Sequence, residues 1–221
     1  MVINAEREEL IADVEEHAES QPEGTEEVVL ETNTSSHPQE LNDLLEEIDK
    51  WERLIAVNND LIEVAFFKIF VKFERLLLDC VVMYAIGERS SLGYQPNRRL
   101  IFSDHDHLRK TITDKNYIDV SKRVEDIVKQ IFEENNPFTL FFESTDKDTL
   151  IKMQTLRNYI AHESPESKIA YRRKVLPPNG EFMNAADFLS SRKNRTAAIS
   201  NYSYFIEVIV AQAKCFMGDS N

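Results

Sequence analysis

The chain has 221 residues, enough for one domain with a well-buried core and barely enough for two. Only five glycines stand against 13 phenylalanines, which argues against a turn-rich β fold. The two cysteines, Cys80 and Cys215, sit in apolar stretches, so they read as reduced core residues of a cytoplasmic protein and exclude a disulfide framework. The formal net charge is −13, but it is uneven: the first 40 residues hold 12 of the 39 acidic side chains and one of the 26 basic ones. That leaves 27 acids and 25 bases in residues 41–221, a net of −2, so acidity does not exclude a nucleic-acid partner for the body of the protein.

Residues 1–37 mix a short helix-capable piece (5–17) with Ser, Pro, Gly, Thr and Glu, and are expected to form a disordered or loosely helical acidic tail. The plain role is solubility; a sharper one is a polyanion that folds back over a basic groove. His17 and His37 carry no visible role there. The acidic start lacks the apolar segment of a secretory signal. A single helical domain is expected over residues 38–217.

Leu41, Leu44, Leu45, Ile48, Trp51, Leu54 and Ile55 recur at spacings of three and four, predicting an amphipathic helix to about Val57. Asn58-Asn59-Asp60 then breaks the chain and caps a second helix over 61–86, which stops at Gly87. This second helix is apolar on most sides. Lys68, Lys72, Glu74, Arg75 and Asp79 interrupt it, each costing about 2–3.5 kcal/mol near a bilayer centre, so it reads as a buried core helix and not a membrane span.

Residues 88–103 read as a loop and 104–115 as a short polar helix. A further helix is expected over 117–134, ended by Asn135-Asn136-Pro137. The apolar run 138–142 is too short to assign. Thr145-Asp146 precede a helix from Lys147 to about Ala161, closed by Ser164-Pro165. Residues 169–183, with Pro177-Pro178-Asn179-Gly180, predict a loop or small hairpin. A short helix over 185–190 and a final one over 196–216 complete an all-α, antiparallel helical bundle.

The chemistry concentrates at Arg157, Asn158 and His162, within two turns of one helix end. Arginine is a permanently charged fork that suits phosphate oxygens, and histidine is the usual acid–base group near neutrality. Asn158 and His162 are four residues apart and share a face, so the carboxamide can orient the imidazole. Arg157 lies five residues from His162, roughly 140° around the helix, so one helix cannot aim both at the same point. Arg and His near a helix C-terminus also serve simply to complement the helix dipole.

Arg157-Asn158 followed after Tyr159, Ile160 and Ala161 by His162, on a long helix of an all-helical domain, resembles the signature of the HEPN superfamily, above all its RiboL-PSP-like, toxin- and defence-type members. The stretch 66–86 with Glu74 embedded is similar to the long second helix of that group. The resemblance covers roughly residues 41–215, and its specific part is the motif. It implies a homodimer whose paired motif helices cleave RNA without a metal or other cofactor, in defence, a toxin–antitoxin pair or stress response. His162 would then act as general base or acid, Arg157 would bind the phosphate, and Asn158 would orient His162 or contact the phosphate. An antitoxin or regulatory partner is a further implication.

Tyr171, Arg172, Arg173 and Lys174 join basic residues to an aromatic and suit a single-stranded RNA path, extended by Arg192, Lys193, Arg195 and, more weakly, Lys168. Two rivals remain. One is a non-catalytic HEPN-like module that binds a nucleotide or partner protein. The other is a metal-dependent phosphohydrolase on Asp104-His105-Asp106-His107, whose alternate residues would converge if the segment were extended. Glu74 can pair with a motif residue but receives no role.

Overall fold

The computed structural model describes residues 39–112, 122–194, 196 and 198–219. The acidic tail, its helix-capable piece and its suggested fold-back lie outside these residues, as do 113–121 and Arg195. Among the described residues the fold is all-α: α1 (Gln39–Val57), a 3-10 turn (Asn59–Leu61), α2 (Ile62–Ile86), α3 (His105–Ile112), α4 (Lys122–Ile131), α5 (Pro137–Glu143), α6 (Lys147–His162), α7 (Pro165–Lys174), α8 (Ala185–Ser190) and α9 (Asn201–Phe216).

Helix α2 is the axis of the domain and packs against α1, α3, α6, α8 and α9. Its apolar residues face every direction because other helices lie on nearly every side, with Phe66, Ile69, Phe70, Phe73, Leu77 and Val81 fully buried. No helix among the described residues is long and apolar enough to cross a membrane. The helix ends at Gly87, whose φ of 100° is the left-handed conformation that closes a C-terminus. A side chain there would collide with the Arg98 guanidinium, which donates to the carbonyl of Ala85.

Phenylalanines join the helices at one end of the core. Phe73 of α2 contacts Phe141 of α5 and Phe216 of α9, and Phe138 contacts Phe132, Tyr84 and Phe216. The Tyr84 hydroxyl donates to the carbonyl of Phe216 at 2.6 Å, and burial pushes that phenol's pKa up. Cys80 is buried and Cys215 half-buried, both as free thiols.

Three elements differ from the sequence reading. Residues 138–142 belong to α5, because Asn136-Pro137 starts a helix as well as ending one. The Asn136 side chain accepts from Thr139 N at 2.9 Å, and proline at the first helical position has no N–H to satisfy. The supposed loop from Ile169 is helical through Lys174, since Ser164-Pro165 caps and opens α7 in the same way. The last helix begins at Asn201, not Thr196, and a backbone pairing of Lys193 N with Ile199 O ties off the preceding loop. The short polar helix expected over 104–115 is present as α3, and Asp104 caps it by accepting from His107 N at 2.7 Å.

That last contact removes the geometric premise of the metal loop. In a helix, residues two apart point about 200° apart, so His105 and His107 do not converge. No group of three or more potential metal ligands occurs among the described residues.

Candidate functional site

Helix α6 carries the Arg-Asn…His motif and packs one side on α2 and another on α7. Leu150, Met153 and Leu156 anchor it in the core. It ends abruptly: Glu163 takes a left-handed conformation, φ 45°, and its N–H donates to the Tyr159 carbonyl. Ser164 then caps α7, which runs back along α6, so the rings of Tyr159 and Tyr171 stack at 4.5 Å between centroids and 4° between planes.

The three motif residues part company. Arg157 is only 7% exposed and points at α2, where Glu74 is wholly buried. Its Nη2 donates to both carboxylate oxygens of Glu74, at 2.5 and 2.6 Å. Its Nη1 donates to Asn158 Oδ1 at 2.7 Å. A guanidinium has only donors, so this contact fixes which end of the Asn158 amide is oxygen and leaves its NH₂ directed elsewhere. His162 is exposed on the last helical residue. Among the described residues no hydrogen bond joins it to Asn158, whose oxygen is taken by Arg157.

Sequence spacing had already separated Arg157 from His162 by angle; burial now separates them by environment as well. The pairing of Glu74 with a motif residue, raised by the sequence without a role, is realised with Arg157. The available signal was a carboxylate embedded in the most apolar helix, because an acid is almost never fully buried without a cation.

The expected RNA-binding set also divides. Tyr171 is fully buried, its hydroxyl donates to the Asn184 carbonyl at 3.3 Å, and one face is covered by Tyr159. Burial raises its pKa, helped by Tyr159, Glu63 and Asp187. It is a packing residue that clamps α7 onto α6, and it has no face open to a base. Arg172, Arg173 and Lys174 are exposed on the last turn of α7. Arg173 and Lys174 meet Lys152, Arg192 and Lys193 around one cavity. Lys168 instead lies over the Phe182 ring, 4.6 Å from its centroid.

This basic cluster is not beside His162. Ten residues of α6 separate Lys152 from His162, ~15 Å along the axis at ~1.5 Å per residue. The helix therefore presents an imidazole and a carboxamide at its C-terminal end and cations near its N-terminal half. Chemically, the C-terminal end can exchange a proton through His162 and donate amide hydrogen bonds through Asn158. Comparison with protein-family models, curated proteins and solved structures gives no match.

Proposed function

We propose that this chain is a HEPN-like, metal-independent endoribonuclease that works as a homodimer, with His162 as its acid–base group. The observation that carries the reading is the hydrogen-bonded chain Glu74–Arg157–Asn158, which fixes the carboxamide one turn from the exposed imidazole. In this reading Arg157 is a positioning residue: its charge is engaged by Glu74, and it acts on substrate through Asn158.

The ribose 2′-OH attacks the adjacent phosphorus while His162 of one copy takes its proton. The P–O5′ bond breaks, and the partner subunit's His162 donates a proton to the departing 5′-oxygen, leaving a cyclic phosphate. The Asn158 amides donate to the non-bridging oxygens as charge builds on them. DNA lacks the 2′-OH and is not cut. An antitoxin or other regulator, and a cytoplasmic setting, belong to the same proposal.

A second reading has a specific observation behind it. With Arg157 sealed against Glu74, the exposed helix end of one copy offers no free guanidinium to stabilise a pentacovalent phosphorane, which suits a non-catalytic helical module. Incubating the full chain with mixed single-stranded RNA in EDTA separates the two. The nuclease reading expects 5′-hydroxyl and cyclic-phosphate ends that disappear in His162→Ala at unchanged helix content. No cleavage, or cleavage that survives His162→Ala, refutes it.

A further inference from the structure

The cavity at the N-terminal half of α6 gathers five cations from three separate segments: Lys152 on α6, Arg173 and Lys174 on α7, and Arg192 and Lys193 after α8. It measures about 530 Å³, and no aspartate or glutamate lines it. Among the described residues none of the five makes a salt bridge. Elsewhere the protein pairs its cations readily, as in Lys72–Asp43, Arg53–Asp49 and Lys147–Glu125.

Arg173 and Lys174 by themselves would simply complement the C-terminal dipole of α7. That account does not reach Lys152, Arg192 or Lys193. The latter two are held in place, because Lys193 N donates to Ile199 O and Asn201 N donates to Ser191 O. The first turns of α6 and α9 also reach the cavity, through Thr149 and through Asn201 and Tyr204, and both add positive potential. Five like charges converging on one hollow repel one another unless an anion is bound.

The lining also says which kind of anion. A path for single-stranded RNA needs open aromatic faces on which successive bases stack. Here Phe188 and Phe205 are buried, and Tyr204 is capped by Lys193 Nζ, 3.1 Å from its ring centroid. The charges cluster around one hollow and do not string along a groove. We infer that this cavity is a binding site for a compact polyphosphate group, such as the di- or triphosphate of a small ligand. The site is separate from the His162 end of α6 and does not depend on the nuclease reading.

The test is calorimetric titration of the full chain with inorganic tripolyphosphate, in EDTA at constant ionic strength. Orthophosphate and a 5′-hydroxyl, 2′-O-methyl RNA oligomer are the comparison ligands. Tripolyphosphate should bind at least about tenfold more tightly than orthophosphate. The double variants Arg173→Gln/Lys193→Gln and Lys152→Gln/Arg192→Gln should each weaken it by about tenfold or more, with melting temperature retained. Lys110→Gln on α3 should leave it unchanged. Binding no tighter than orthophosphate, or binding indifferent to both double variants, overturns the site. RNA binding that both variants abolish and tripolyphosphate fails to displace overturns the compact ligand in favour of a chain.

Discussion

Replacing Glu74 by Gln keeps the shape of the buried side chain and removes only its charge. The Arg157 guanidinium, 7% exposed, then stays charged in an apolar setting, because arginine does not deprotonate in proteins. Removing one partner of such a pair costs about 3–5 kcal/mol. For a domain of this size that corresponds to a melting temperature lower by about 6–20 °C. The reverse change, Arg157→Met, leaves a buried carboxylate, which can escape by taking up a proton. Its folded pKa is then raised above the unfolded value, so the native state binds more protons. The stability deficit grows with pH up to the raised folded value and shrinks as pH falls toward the unfolded carboxyl value near ~4.3. Glu74→Leu with Arg157→Met replaces the pair by apolar groups and should recover most of the loss. Urea unfolding of the four proteins at pH 7.5 and pH 5 measures all of this. A Glu74→Gln cost under ~1 kcal/mol, the range of a solvated surface pair, would refute the claim that the ion pair is sealed. So would equal pH dependence in the two single variants.

Two further outcomes follow from local geometry. Glu163 holds a left-handed conformation, φ 45°, at the end of α6, where a side chain costs roughly 1 kcal/mol; Glu163→Gly should stabilise the protein by about 0.5–1 kcal/mol in urea unfolding, and a loss would refute the strain. Glu125 is buried and its pKa is held below the ordinary carboxylate value by a hydrogen bond from Lys129, with Lys147 adding to it, while burial works against both. A depressed folded pKa gives stability that is present above the unfolded value and lost as pH falls through the folded one, so denaturation below about pH 4.5 should be shallower in Glu125→Gln. Lys129 titrates the opposite way. Its pKa is raised to about 12, first by its hydrogen bond to Glu125, so that contribution persists below 10.5 and fades as pH climbs through 12.

The parts of this fold that could be read from sequence are those where one period or one residue type decides. The three-and-four spacing of α1, the all-round apolar character of α2 and the stop at Gly87 each have a single physical reading. The Asn-Pro and Ser-Pro pairs do not, because proline ends one helix and opens the next with the same ring. That is why neither α5 nor α7 follows from the sequence. At the candidate site, angular spacing showed that Arg157 and His162 could not act together from one helix. It did not show where Arg157 would go. Glu74, embedded in the most apolar helix, marked itself as needing a cation, but which motif residue it would take depended on how α6 lies against α2, a tertiary fact. Tyr171 failed for a related reason: an aromatic beside three cations reads as a binding face, yet pairing with Tyr159 required knowing that α7 turns back.

The division of charge along α6 constrains any chemistry placed on it. Near the N-terminal half, five cations line a cavity that no acid lines; further along, the Arg157 guanidinium is held by Glu74 and Asn158; at the C-terminal end, the imidazole of His162 and the amide of Asn158 reach solvent beside the exposed Glu163. A phosphodiester drawn to the protein by charge alone would settle near Lys152 and Arg173, not at His162. Cleavage at His162 therefore requires something a single copy does not present there, and a second α6 end would supply another imidazole and another amide but no second guanidinium, since Arg157 is buried in each copy. If the protein does cut RNA, its transition state is stabilised chiefly by amide donors and imidazolium.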